Sequence, residues 1–318
     1  MAAVVPAAWL WPEVGVEGGV VGADWIRSAA VTLIFFFQGL SLSFQSLCRG
    51  VMDVRLHLCC QIAIFVIGPL LALLLLAATS PILTDPALRA GFIYLGILPT
   101  TVASATALTS VAGGNVTGAL FNATLSNIAG VFIVPLVVFI FLIDGNEESV
   151  SLGQGLAGVI QLILVPLSLG MVCRSWLGRW AATHRVALRR ATAAIILYLI
   201  YIAFCRSFTE AVWERMPGSE LAVAAAGAVL FLVLLSVASW RLARAFRLPP
   251  SSLVAALFCG SQKTLVAGLP MAVSLFAATD ARELDLSLVL VPLLCYHPMQ
   301  LLLAGWLVPV LAKRTGGP

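Results

Sequence analysis

The sequence predicts an all-α polytopic membrane protein with about ten transmembrane helices. Composition is the first reason. Of 318 residues, 61% are hydrophobic and 10% charged, at a mean hydropathy of +1.06, whereas a soluble domain carries about 25% charged residues. Run length is the second: a span needs about 20 apolar residues, and once such runs are placed no soluble domain is left over. The runs are also continuous, where a membrane β-barrel would alternate over segments of about 10 residues.

Taken in order, residues 1–11 are apolar but too short to cross, and Pro6 and Pro12 shorten the helix further. This is half a span or a truncated first helix. It lacks the basic start of a secretory signal. Spans follow at about 25–47, 56–79, 88–112, 117–143, 151–173, 188–209, 219–243, 251–277 and 285–311. Charge placement orients them. With the N-terminus in the cytoplasm, twelve cations fall inside: Arg49, Arg55, Arg174, Arg179, Arg185, Arg189, Arg190, Arg241, Arg244, Arg247, Lys313 and Arg314. Five fall outside: Arg27, Arg89, Arg206, Arg215 and Arg282. Such a Lys/Arg bias sets orientation, so the C-terminus is expected in the cytoplasm of a plasma or inner membrane. Of the acids only Asp53 is inside, and none lies deep in a span.

The spans divide five and five about a loop at 144–150, giving halves at 1–143 and 151–318. Five spans reverse the direction of the second half, so a repeat would be inverted. Transporters built this way place their sites at discontinuous helices in matching positions. The fourth span breaks at Leu98-Pro99-Thr100-Thr101-Val102-Ala103-Ser104, where Pro99 removes a donor. The ninth breaks at Phe258-Cys259-Gly260-Ser261-Gln262-Lys263-Thr264. Lys263 lies near the middle of its apolar run, where a charge costs at least ~2.5–3.5 kcal/mol. It is a functional candidate, against the plainer reading of a lysine that snorkels to the interface. Thr100, Thr101, Ser104, Ser261 and Gln262 join it as candidates for substrate or ion binding.

Asn122, Thr124, Ser126 and Asn127 run along the fifth span, and Gln38, Ser41, Ser43 and Gln45 along the second. These line a site or hold helices together. Asn122 and Ser126 are carried as candidates. His297, in Tyr296-His297-Pro298, relays protons or bonds a neighbouring backbone. Seven cysteines, Cys48, Cys59, Cys60, Cys173, Cys205, Cys259 and Cys295, read as small buried residues. No H-E-x-x-H or G-x-S-x-G is present. No catalytic residue, metal, cofactor or nucleic-acid partner is expected, and the chain reads as a non-enzyme.

These motifs occur together in a known order. Leu98-Pro99 through Ser104, Ala112-Gly113-Gly114-Asn115, Phe121-Asn122, the break from Phe258 to Lys263, Leu269-Pro270-Met271 and Tyr296-His297-Pro298 with Gln300 resemble the bile acid:sodium symporter family, in its member-7-like branch. That branch consists of sodium-bile-acid-symporter-like transporters of the cation/proton antiporter superfamily. The resemblance covers nearly the whole chain. It implies two inverted five-helix repeats, and a panel domain (the first, second, sixth and seventh spans) beside a core domain with two broken, crossing helices.

Departures from the family are informative. Its sodium-coupled members carry E-x-G-x-Q-N at the ninth-helix break, and here Phe258 replaces the acid and Lys263 the amide. Ser104-Ala105 stands for Ser-Asn in the fourth helix, and Ala119 and Ala123 for hydroxyl ligands in the fifth. The resemblance implies that the Lys263 ammonium projects where relatives hold sodium, as a tethered cation satisfying freed carbonyls. The expected function is secondary transport by alternating access. An organic anion suits the positive lysine and the positive N-terminal ends of the broken helices. Proton or sodium is the coupling ion, with sodium in question and membrane lipid as the surroundings. The rival readings are a regulator that no longer transports, for example of calcium homeostasis through a protein partner, and an intramembrane enzyme.

Overall fold

Backbone hydrogen bonding decides the architecture, because in lipid each main-chain polar group must find its partner inside the protein. The computed structural model describes residues 3–16, 19, 21–22, 24–41, 53–142, 152–278 and 284–315. Ser43, Gln45, Cys48, Arg49, Arg282 and the 144–150 loop lie outside the described residues, as does the end of the chain from 316.

The helices are α1 (Val4–Leu10), α2 (Asp24–Ser41), α3 (Val54–Thr79), α4 (Pro86–Ile97), α5 (Val102–Val111), α6 (Val116–Leu142) and α7 (Leu152–Thr183). After them come α8 (Arg185–Thr209), α9 (Gly218–Ala245), α10 (Pro250–Ser261), α11 (Leu265–Ala278) and α12 (Leu286–Thr315). Six described helices are long and apolar enough to cross a membrane: α3, α6, α7, α8, α9 and α12. The shorter apolar helices α4, α5, α10 and α11 form two pairs across the expected breaks. The chain is therefore a multi-pass membrane protein. Span ends moved where sequence offered no stop. Between Arg174 and Arg185 neither proline nor a turn motif intervenes, so α7 runs on to Thr183 and only His184 separates it from α8.

Helix starts follow capping rules. Asp53 accepts from Leu56 N at 3.2 Å and Asp85 from Leu88 N at 2.9 Å, with Pro86 at the first position of α4. Gly113, at φ 68°, turns the chain from α5 into α6, a left-handed position that favours glycine. Asn115 Oδ1 then receives Gly118 N at 2.8 Å.

The chain forms two compact units, each drawing on both sequence halves. One holds residues 1–42, 135–218 and 266–290, the other 43–134, 219–265 and 291–318. The first unit contains α1, α2, α7 and α8 together with most of α11, the second part of the ninth span, which was expected with the core. Within it α2 and α7 meet through Gly39 and Gly170, small residues that allow close helix approach. Arg174 Nη1 donates to Leu40 O at 2.8 Å, capping the end of α2. The second unit is tied at two ends. At one, Asn115 N reaches Ser251 O at 2.9 Å, Asn115 Nδ2 reaches Ser252 Oγ at 3.3 Å, and that hydroxyl donates to Asp53 Oδ2 at 3.3 Å. At the other, buried Glu220 accepts Thr84 N, Asp85 N and Thr84 Oγ1 at 3.1, 2.9 and 2.8 Å.

A methyl group at Gly170 would overlap the Phe36 carbonyl and sit 2.9 Å from Leu40 N, whereas at Gly178 its nearest neighbour is 3.5 Å away. Overpacking of this kind costs about 1–3 kcal/mol. Gly170→Ala should therefore lower the thermal midpoint in detergent, read by fluorescence-detected size exclusion. Gly178→Ala should leave it unchanged.

Candidate functional site

Proline chemistry opens the first break. The residue before a proline is driven out of the helical region, and Leu98 is extended at ψ 141°, ending α4 at Ile97. Thr101 is also extended, and α5 begins at Val102. The second break, between Ser261 and Leu265, has Gln262 extended at ψ 112°. The two breaks lie antiparallel, with Thr100 facing Lys263. Thr101 N donates to Gln262 O at 3.3 Å, and Thr264 N to Pro99 O at 3.0 Å.

The polar groups exposed by the breaks are met from neighbouring helices in matched fashion. Asn127 Nδ2, on α6, donates to Thr100 O at 2.7 Å. Gln300, on α12, accepts Lys263 N at 2.8 Å and donates to Lys263 O at 3.1 Å. At the end of α10, Tyr296 OH donates to Ser261 O at 2.6 Å. At the end of α4, the Leu98 carbonyl is met by Lys263.

Lys263 is fully buried at 0% exposure. Its Nζ donates to Gly96 O and Leu98 O, each at 2.8 Å, and to Ile64 O at 3.4 Å. Each acceptor is free for a local reason. Gly96 O belongs to the last turn of α4, whose carbonyls have no helical partner, and Leu98 O follows it into the break. Ile64 lies in the π turn Ala63–Ile67 of α3, where Gly68 N bonds Ala63 O. The next donor in that register would be residue 69, and Pro69 has no N–H. The ammonium thus lies at the negative end of the α4 dipole, with no carboxylate within ion-pair distance among the described residues. Hydrogen bonds to a charged group contribute about 1.5–3 kcal/mol each, so three of them offset the insertion cost. Gly68 makes this approach feasible: a Cβ there would lie 3.1 Å from Nζ and 2.6 Å from Gly96 O.

The other candidates divide. Thr101 and Ser104 are hydrogen-bonded through their hydroxyls, and Ser104 Oγ donates to Gln262 Oε1 at 3.4 Å. Gln262 Nε2 in turn donates to Gln300 O at 3.4 Å. Thr100 Oγ1 is buried with no hydrogen-bond partner among the described residues. Ser126 and the Ser261 hydroxyl bond only carbonyls of their own helices, at 3.0 and 2.8 Å. Asn122 belongs to a separate group on α3 and α6. Its amide meets His57 Nδ1 at 3.0 Å, and its Oδ1 accepts from Gln61 at 3.3 Å. His297 Nδ1 lies 2.8 Å from Gln300 Nε2. That amide also serves Lys263 O, so Nδ1 is the acceptor and the neutral ring's proton sits on Nε2. His297 therefore reaches the Lys263 main chain through Gln300, and not its ammonium. Among the described residues no three His, Cys, Asp or Glu side chains come together as metal ligands.

Sequence reasoning gave no role to Tyr296 or Gln300, and read Asn127 only as a residue that lines a site or holds helices together, the second of which its bond to Thr100 O fits. Their signal was a polar group inside an apolar run, shared with residues that bond only locally. The carbonyls of Ile64, Gly96 and Leu98 left no side-chain signal at all.

Comparison with known proteins gives concordant results. A sequence model of the SBF-like CPA transporter family matches residues 1–313. An uncharacterized protein of Pseudomonas aeruginosa is 35% identical over 292 residues, 92% of this chain and 85% of that protein. Sodium/bile acid cotransporter 7 of Mus musculus is 32% identical over 311 residues, covering 96% and 89%. Sodium/bile acid cotransporter 7-A of Xenopus laevis is 31% identical over 316 residues, covering 97% and 89%.

Gln300→Leu removes the partners of both Lys263 N and Lys263 O. A buried main-chain group left unpaired costs about 1–3 kcal/mol. The variant should unfold at a clearly lower temperature than Ser126→Ala, whose hydroxyl bonds only its own helix. Thermal unfolding of the two in one detergent makes the comparison.

Proposed function

The chain belongs to the SBF-like CPA transporter family, and on that premise we propose that it is a secondary active transporter of a small organic anion that works by alternating access without sodium. The observation that carries this reading is the Lys263 ammonium, held by three main-chain oxygens beside the two breaks. Oxygen ligands are what a sodium ion would need, and a tethered ammonium already takes them. By like-charge repulsion it also disfavours a second cation nearby. The names of the two cotransporters support an organic anion of the bile-acid kind, and they make sodium independence the point to test. Lys263 serves here as a builder of the site and not as the anion's counter-charge, because its donors are engaged. The uncapped start of α5 supplies the more suitable positive end.

The same reading takes residues 1–143 and 151–318 as inverted repeats within about ten spans. Its support is the matched bonding at the breaks, where positions 99 and 262 accept, 101 and 264 donate, and Asn127 and Gln300 serve positions 100 and 263. The unit built on α3–α6, α9, α10 and α12 would be the moving core, and the unit with α1, α2, α7 and α8 the panel. Thr100, Thr101, Ser104, Gln262 and Lys263 form the central site. Asn122, Ser126, Ser261 and His297 take supporting places. A regulator that no longer transports is the second reading, favoured by the full engagement of Lys263, which suits a locked crossing.

Purified protein in liposomes separates these readings, with labelled cholate as the first probe of an organic-anion series. At fixed pH, uptake should persist when sodium is replaced by choline, and Lys263→Ala should abolish it. Methylammonium should raise the thermal midpoint of Lys263→Ala by refilling the vacated oxygens, with no effect on the unaltered protein. Uptake that collapses without sodium would rule out the tethered cation, and no uptake of any anion would favour the regulator.

The arginine bias further predicts a cytoplasmic C-terminus. Gly316→Cys should react with an impermeant maleimide only after cells are permeabilised.

A further inference from the structure

The α7–α8 corner combines three features that no transport step requires. Helix α7 carries Val165, Leu169 and Val172, exposed at 49%, 54% and 59%. At 3.6 residues per turn these share one face, and the same face continues into Trp176, Arg179 and Trp180. Trp176 is 77% exposed and Trp180 49%. An exposed apolar stripe that ends in tryptophans marks the level where hydrocarbon gives way to headgroups. Arg174 points to the opposite face of α7, where it caps Leu40 O.

The second feature is charge. Arg179 stands one turn before the corner, and Arg185, Arg189 and Arg190 lie on the first turns of α8, all exposed. No aspartate or glutamate occurs anywhere between Glu148 and Glu210. Among the described residues none of these four arginines has a carboxylate within ion-pair distance. The third is a fixed ring. His184, the single residue between the helices, stacks on Trp180 at 4.9 Å with an interplanar angle of 25°, and its Nδ1 lies 2.9 Å from Trp180 O.

We propose that the α7–α8 corner is a binding site for an anionic phospholipid, with the phosphodiester headgroup among Arg179, Arg185 and Arg189 and an acyl chain along Val165, Leu169 and Val172 beside Trp176. Charge complementarity selects an anionic ligand, and guanidinium forks suit phosphate oxygens. The apolar stripe on the α7 face that carries Arg179 selects a lipid over a free phosphate or an acidic peptide, because neither of those has anything to lay along it. The site requires only that the protein spans a membrane and does not depend on the solute or the coupling ion.

The test uses full-length protein in a neutral detergent, with thermal unfolding as readout. Dioleoylphosphatidylglycerol should raise the midpoint, and dioleoylphosphatidylcholine should do so far less. The Arg179→Gln, Arg185→Gln, Arg189→Gln triple variant should lose most of the shift, its lipid affinity falling about fivefold per arginine. An equal loss of charge elsewhere, Arg241→Gln, Arg244→Gln, Arg247→Gln, should keep it. Trp176→Ala should reduce the shift without changing the charge. Inorganic phosphate and a polyglutamate peptide should not reproduce it. The proposal is overturned if the corner variant keeps the full phosphatidylglycerol shift, or if phosphatidylcholine, phosphate or polyglutamate matches phosphatidylglycerol. If the triple variant does not fold, the single variants Arg185→Gln and Arg189→Gln decide, each expected to weaken phosphatidylglycerol binding measurably.

Discussion

One buried ammonium group holds the centre of this protein together. The Lys263 side chain crosses from the second break to the end of α4, and there it meets three carbonyls left unpaired by the break after α4 and by the π turn of α3. Without it, a helix end, an extended residue and a π turn would all present bare oxygens to a water-poor interior. Such groups are costly. The lysine and these irregularities are therefore mutually dependent, since each explains why the others are tolerated.

The surrounding unit is organised on the same principle. At its middle, antiparallel breaks exchange main-chain bonds, and side-chain amides from α6 and α12 take what remains. At its ends, short polar knots around Asp53 and Glu220 fasten helix starts to neighbouring loops. Between these points apolar contacts are joined by the Asn122, His57 and Gln61 group on α3 and α6. A unit tied this way can hold the two breaks in register.

Much of this was legible in the sequence because it depends on side-chain identity. The multi-pass helical class followed from run length and the first break from Pro99, while the second, expected at Gly260-Ser261-Gln262, begins only at Gln262 because Gly260 and Ser261 stay in α10. The burial of Lys263 followed from its place in an apolar run. What stayed hidden depends on main-chain geometry. The π turn before Pro69 has no signature apart from that proline, so Ile64 O could not be foreseen as a ligand. His297 looked as suited to proton relay as to structural bonding, and only the position of Gln300 separates its ring from the ammonium. Asn122 and Asn127, five residues apart on α6, read alike in sequence. Helix rotation sends one to His57 and Gln61 and the other to the break.

The absence of any deep carboxylate in the sequence has a physical counterpart in how positive charge is received. Lys263 in one unit and Arg174 in the other both direct their charge onto carbonyls at a helix C-terminus, Lys263 at the end of α4 and Arg174 at the end of α2. Neither is paired with an acid among the described residues. A helix end offers roughly half a unit of negative charge, fixed in place. A carboxylate offers a whole unit but must itself be taken out of water. Within a membrane the first arrangement avoids burying a second ion. It also restricts what can replace the cation, since fixed carbonyls can hold an ammonium or a bare monovalent ion but supply no proton acceptor of their own. A site built from helix ends is thus matched to holding a cation in place, and this chain provides that cation from its own lysine side chain.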